Sequence, residues 1–198
     1  MGHHHMDKGL DHAHHHHHMI QIGQPAPAFE MDAVLSEGES TGRFGKVSLQ
    51  QNIDAGKWTV LYFYPRDFTF VCPTEIRRFN ELYPQFQEKN AEVISCSTDS
   101  TYVHLKWQET DLGRLQHPHA ADTNHHVSRA YSVYDCEAGL SLRGTFIIDP
   151  KGNLVQYSIN NAGVGRNVEE VLRLLEACQA AADGKLLPCE WKPGQKTL

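Results

Sequence analysis

Apolar and polar positions follow several distinct periods along the chain, and each period predicts an element. Residues 58–64, WTVLYFY, form a short, nearly continuous apolar run rich in aromatic and β-branched side chains, as expected of a strand covered on both faces. From Pro73 onward Ile76, Phe79, Leu82, Tyr83 and Phe86 recur every three or four residues, which is one face of a helix. Pro73 suits the first turn, where an N–H would have no partner. Pro84 lies within the same pattern and is expected to kink the helix or end its first part. Residues 92–97, EVISCS, read as a second strand, and STYVHLKWQE reads as a helix with Ser100 as its cap.

Further along, a segment bearing His and Pro (residues 115–122) leads to a short helix near residues 124–131. TFIID and LVQYSI, joined by PKGN, predict an antiparallel hairpin. The last helix, over residues 168–182, carries Val171, Leu172, Leu174, Leu175 and Cys178 on a broad apolar face. Ahead of the first core strand, IGQPAPAFEMDAVLSEGESTGRFGKVSL reads as edge strands and Gly-rich turns. Right-handed crossovers make the first core strands parallel and the hairpin adds antiparallel ones. The fold class is therefore α/β and thioredoxin-like: a mixed central sheet flanked by helices, with an N-terminal extension and a C-terminal tail. The expected organisation is a tag at 1–18, one domain at 19–183 and a tail at 184–198.

Composition narrows the range of partners. Nine of the fourteen histidines fall in MGHHHMDKGLDHAHHHHH, which looks like an expression tag and removes most of the apparent metal-binding signal. The formal charge of −6, with no basic block, disfavours nucleic acid or an anionic membrane as the main partner. No apolar run approaches the ~20 residues of a membrane span, and no leader follows Met19, so a soluble, cytoplasmic protein is expected. Five cysteines without a CxxC pair disfavour both a secreted disulfide framework and a zinc ribbon.

Cys72 follows the turn in YFYPRDFTFVCPTE, at the expected start of a helix. Disulfide oxidoreductases with this strand, turn and helix place a second cysteine three residues on, where this chain has Glu75. A thiol in the first helical turn meets unpaired N–H groups and the positive end of the helix dipole, which favour thiolate. A lone cysteine can equally be a small buried hydrophobe. Thr69, three residues before it, has a hydroxyl that both donates and accepts, and Pro65 can exclude water without competing for hydrogen bonds. Glu75, taken alone, is a first-turn acid complementing the dipole.

The motifs YFYPRDFTFVCPTE, STD (97–99), HLKW (104–107), LRGTFIIDP (142–150) and PCEWKPG (188–194) together resemble the peroxiredoxins, specifically the typical 2-Cys group that includes alkyl hydroperoxide reductase C components. The resemblance covers nearly all of residues 19–198. It implies a thiol-dependent peroxidase acting on hydrogen peroxide, organic hydroperoxides or peroxynitrite, with Cys72 as the peroxidatic thiol. Thr69 and Pro65 would complete its pocket, Arg143 would be the basic residue beside the sulfur, and Glu75 would orient an arginine. Lowering a thiol pKa from ~8.5 to ~6 raises the thiolate fraction at pH 7 only about thirtyfold, and it weakens the nucleophile. The remaining acceleration must come from aligning the O–O bond and donating to the leaving oxygen. Arg143, the Thr69 hydroxyl and backbone N–H groups near Val71 and Cys72 are the candidate donors.

By the same resemblance Cys189 is the resolving cysteine, linked to Cys72 of a second subunit. A homodimer, a decamer of dimers and a protein reductant (a flavoprotein disulfide reductase, thioredoxin or similar) are expected, and no metal, flavin or haem is implied. Cys178 reads as packing or as an accessory redox thiol, Cys96 as inert core, and Cys136 has no assigned role. Residues 110–115, TDLGRL, lack a GGLG loop, and no Tyr-Phe helix follows the tail, two departures that predict resistance to overoxidation. Three competing readings are a thiol-disulfide oxidoreductase, which the lost CxxC opposes, a chaperone-like ring, and a metal site. The metal site would draw on His117, His119, His125, His126 and Cys136, but adjacent histidines point apart.

Overall fold

The computed structural model describes residues 19–37 and 43–198, so the expected tag lies outside the described residues. Two N-terminal strands, β1 (Glu30–Val34) and β2 (Phe44–Ser48), pair antiparallel and are followed by a short helix, α1 (Leu49–Asp54). The core strand β3 (Trp58–Phe63) is buried at every position, as its unbroken apolar run requires. Then come α2 (Cys72–Glu88), β4 (Ala91–Ser97) and α3 (Thr101–Trp107), whose N-cap Ser100 accepts from the Val103 amide. A π-helical turn over Gln108–Leu112 continues α3 before β5 (His119–Ala121) and α4 (His126–Ala130). A two-residue pairing, β6 (Tyr134–Asp135) with β7 (Leu140–Ser141), precedes β8 (Arg143–Ile148), β9 (Leu154–Asn160) and α5 (Val168–Ala182).

Among the described residues seven strands form one mixed sheet, in the order β2-β1-β5-β4-β3-β8-β9. The β3–β4 and β4–β5 pairs are parallel, and β3–β8 and β8–β9 are antiparallel, as the crossovers and hairpin predict. One face is covered by α2 and α5 through Ile76, Phe79, Phe86, Val171 and Leu175. The opposite face holds Phe29, Phe63, Ile94, Tyr131 and Phe146.

Three expectations change. The N-terminal extension does not simply skirt the core, because β1 lies between β2 and β5, and of its two strands β2 alone is at an edge of the sheet. The His- and Pro-bearing segment, to which the sequence pattern assigns no element, contains the strand β5. Pro84 neither ends nor divides α2, which runs through it. A proline at that position leaves the Asn80 carbonyl, four residues back, without its helical donor. Gln116 supplies one instead, its Nε2 donating to Asn80 O at 3.3 Å, while its amide N donates to Asn80 Oδ1 at 2.7 Å.

Candidate active site

At the carboxyl end of β3 the chain leaves the sheet through Tyr64 and Pro65, both buried, and turns through residues 66–71 into α2. Within the turn Phe68 adopts a left-handed backbone (φ 55), a conformation costing an L-residue on the order of 1 kcal/mol. The turn must therefore be held from outside. The Asp67 amide donates to Asp99 Oδ2 at 2.8 Å, and Ser97 Oγ donates to the same oxygen at 3.1 Å, which gives the STD motif a structural task. Thr69, half-buried, donates its hydroxyl to the Arg66 carbonyl at 2.9 Å. Val71 is the N-cap of α2 but offers no capping side chain; its carbonyl accepts from the Thr74 hydroxyl at 2.6 Å.

Cys72 opens α2 at 1% exposure, and its Sγ accepts from Arg143 Nη1 at 3.3 Å. Arg143 begins β8 and is itself buried, with Nε donating to the Ala162 carbonyl at 2.7 Å. Glu75, one turn along α2 from Cys72, accepts from Arg143 Nη1 at 2.5 Å. It also accepts from Arg166, through the backbone N at 2.8 Å, Nε at 2.5 Å and Nη2 at 3.1 Å. The reading of Glu75 as a mere dipole-complementing acid is thus replaced by that of a buried carboxylate joining two guanidiniums. Arg166 packs its guanidinium 5.0 Å above the Tyr62 ring and donates to the Gly144 carbonyl at 2.9 Å. Gly144 is required there, since a Cβ would come within 2.5 Å of Val133 Cγ1.

Charge is unbalanced in this pocket. Two arginines and one glutamate leave one positive charge facing the Cys72 sulfur in a site closed to water. Arg166 was missed in the sequence: it stands just before the N-cap Asn167 of α5, in no motif, and reaches Glu75 across 91 positions of chain.

The other cysteines differ sharply in setting, and all five are free thiols. Cys96 is fully buried against Met31 Sδ at 3.6 Å, and burial pushes its thiol well up, as fits inert packing. Cys178 is half-buried on α5 and is also pushed up by desolvation. Cys136 is exposed, with Arg129 Nη1 at 3.5 Å. Cys189 is exposed in the tail, which is docked rather than loose: Trp191 is buried, and its carbonyl accepts from Arg173 Nη1 at 2.7 Å.

The histidine and cysteine set considered for a metal does not assemble. His117 and His119 are fully buried, whereas His126 is exposed and His125 stacks on Tyr134. His119 instead joins Asp67 and His104 in a buried group whose side-chain atoms lie within 4.8 Å of one another.

A thioredoxin-like sheet whose β3–α2 turn delivers a buried thiol at a helix start, with no CxxC partner and an arginine on the sulfur, defines a thiol-based oxidoreductase of the peroxidase class. The chain belongs to the AhpC/TSA family, which it matches over residues 22–157. It is 52% identical over 182 residues to the Bacillus subtilis protein YkuU, covering 89% of this chain and 97% of that one. It is 46% identical over 186 residues to a thioredoxin peroxidase of Fasciola hepatica, covering 91% and 92%. Among solved structures, Enterococcus faecalis AhpC superposes with a TM-score of 0.78 at 42% identity, over 86% of this chain and 100% of the other. A reduced Plasmodium vivax 2-Cys peroxiredoxin superposes at 0.83 and 36% identity, over 89% and 91%. The protein is a peroxidase that reduces peroxides, and no helix among its described residues is long and apolar enough to cross a membrane.

Proposed function

We propose that the protein reduces hydrogen peroxide, organic hydroperoxides and peroxynitrite through a sulfenic acid on Cys72, resolved by Cys189 of a second subunit, as a cytoplasmic antioxidant enzyme. The observation that carries this reading is the Arg143 Nη1 to Cys72 Sγ contact at 3.3 Å, within a pocket holding one surplus positive charge. A Cys72 thiolate balances that charge. Its lone pair attacks one peroxide oxygen, the O–O bond breaks, and the other oxygen leaves as water or alcohol after taking up a proton, or within nitrite when the substrate is peroxynitrite. Sulfur is oxidised by two electrons to Cys–SOH and the peroxide is reduced by two.

Arg143 is aimed to donate toward charge growing on the departing oxygen, with the Thr69 hydroxyl and the Val71 and Cys72 amides as further donors. Pro65, buried beside the turn, keeps water out. The Cys189 thiolate then attacks the sulfenic sulfur and expels hydroxide, leaving an intersubunit disulfide. Cys72 is buried and Cys189 exposed, so one of them must move for this bond to form. A thioredoxin or flavoprotein disulfide reductase would return both thiols, and homodimers would assemble into decamers. Cys178, half-buried with a raised thiol, suits packing better than relay chemistry.

Two variants test the reading. Cys72→Ser should abolish peroxide consumption. Cys189→Ser should allow one rapid oxidation per subunit but no chain-linked dimer on a non-reducing gel. Retained turnover in the first would overturn the peroxidatic assignment, and an unchanged dimer in the second would move resolution to Cys178.

A further inference from the structure

Behind the Pro65–Cys72 turn lies a buried polar chain that peroxide cleavage at Cys72 leaves unused. Its proton positions follow from its partners. Gln108 Oε1 accepts from Arg43 Nη2 at 2.8 Å and from the Leu115 amide at 3.2 Å, so its Nε2 must donate to His119 Nδ1, 3.0 Å away. His119 is then the neutral tautomer protonated on Nε2, as its burial and the neighbouring histidines also demand by driving its pKa well down. That N–H points at Tyr64 Oη, 2.5 Å away, and Tyr64 in turn donates to Asp67 Oδ1. From the other side His104 Nε2 must donate to the Ala120 carbonyl at 2.8 Å, because a carbonyl can only accept.

One contact remains undetermined, and it sits at the turn. His104 Nδ1 and Asp67 Oδ2 face each other at 2.6 Å, both buried. Since Nε2 of His104 already donates to Ala120 and Tyr64 gives its proton to Asp67 Oδ1, this contact is attractive only if it holds a proton of its own. Without it a carboxylate would face an imidazole lone pair in a site shut off from water. Burial raises the Asp67 carboxyl, which helps the pair keep that proton.

We propose that the Asp67–His104 pair is a proton-dependent clamp that positions the turn carrying Pro65, Thr69 and Cys72 for peroxide reduction, and that the clamp slackens when its proton is lost at alkaline pH. Asp67 and His104 are positioning residues, acting on the reaction through the turn. The inference rests on the assignment of Cys72 as the reacting thiol. Asp67 pins the turn at two points, its side chain in this chain of bonds and its amide on Asp99. The other titratable groups facing the pair are Tyr64 at the end of β3, His119 on β5 and Asp99 after β4, with Arg43 and His117 behind His119. The first two stay neutral over the working range, because burial raises the phenol and lowers the imidazole.

Asparagine at position 67 separates clamp from proton. Its Oδ1 can accept from Tyr64 and its Nδ2 can donate to His104 Nδ1, giving the same contacts with nothing to lose on titration. The test is the second-order rate of the reduced protein with hydrogen peroxide, followed by stopped-flow fluorescence from pH 6 to pH 10. The wild type should show an alkaline decline. Asp67→Ala should be slower at pH 7 by about ten- to a hundredfold, as misplacement of reacting groups costs. Asp67→Asn should recover most of that loss and show no alkaline decline. A profile of Asp67→Asn that declines as the wild type does would overturn the clamp, even if Asp67→Ala fails to fold. Peroxide turnover retained by Cys72→Ser would instead overturn the underlying assignment.

Discussion

Glu75 is where the two walls of the thiol pocket meet. It projects from α2, Arg143 comes from β8 and Arg166 from the segment before α5, and all three side chains are almost wholly buried. Removing the one anion from such a triad leaves two guanidiniums facing each other without compensation. Glu75→Gln should therefore lose about 3 kcal/mol of stability in urea titrations, and its Cys72 should react with peroxide more slowly because Arg143 is no longer held at the sulfur. A change within about 0.5 kcal/mol, the range of ordinary surface substitutions, would mean that the triad is not a unit. Cys72 and its turn were legible because strand, turn and thiol are contiguous, and Arg143 because a motif surrounds it. Arg166 was not, since only the folded chain brings it to Glu75. The buried chain through Asp67, His104 and His119 was likewise hidden: its residues stand in three separate elements, and neither HLKW nor STD reveals its task until the chain is folded.

At the scale of elements, local pattern worked where an apolar face or run was long. The bounds of α5 agree with the periodicity, and β3 and β4 agree to within a residue at either end. Short pieces escaped for different reasons. Three residues of β5 cannot show a period, and their pairing with β4 and β1 is entirely tertiary. The helix α1 did carry a readable signal, the capping box of Ser48 and Gln51, in which each side chain bonds the other's backbone. Pro84 is the instructive departure, because an interior proline normally costs a helix about 3 kcal/mol. Here Gln116 already serves the orphaned Asn80 carbonyl. Pro84→Ala should then change the urea midpoint by the equivalent of no more than about 1 kcal/mol, since the restored amide donor is offset by a more flexible unfolded chain. A gain near 3 kcal/mol would show that the proline strains α2 after all.

For the whole molecule, strand directions could be argued from crossover handedness, but how the sheet's faces are sealed could not. His117 lies at that seal, where β3, α2 and the residues leading into β5 converge. It is fully buried, with Tyr62 Oη 3.3 Å from Nε2 and the Pro118 carbonyl 3.2 Å from Nδ1, and edge-on contacts to Tyr62 and Tyr83. Desolvation pushes its pKa down from 6.5 to about 4. Between those values the unfolded chain binds a proton that the folded chain refuses, so stability rises with pH across this window and is lost as pH falls from 6.5 toward 4. Each pH step of one across the window is worth roughly 1.4 kcal/mol, so the loss attributable to this one residue should be about 2 kcal/mol by pH 4.5. His117→Gln can still accept from Tyr62 and donate to Pro118, but it has no proton to bind. Urea midpoints at pH 7 and pH 4.5, taken at one protein concentration so that assembly does not enter, should show the wild type losing about 2 kcal/mol more than the variant. Equal losses would place the acid sensitivity of the fold elsewhere, with His119, buried and likewise held neutral, the next residue to substitute.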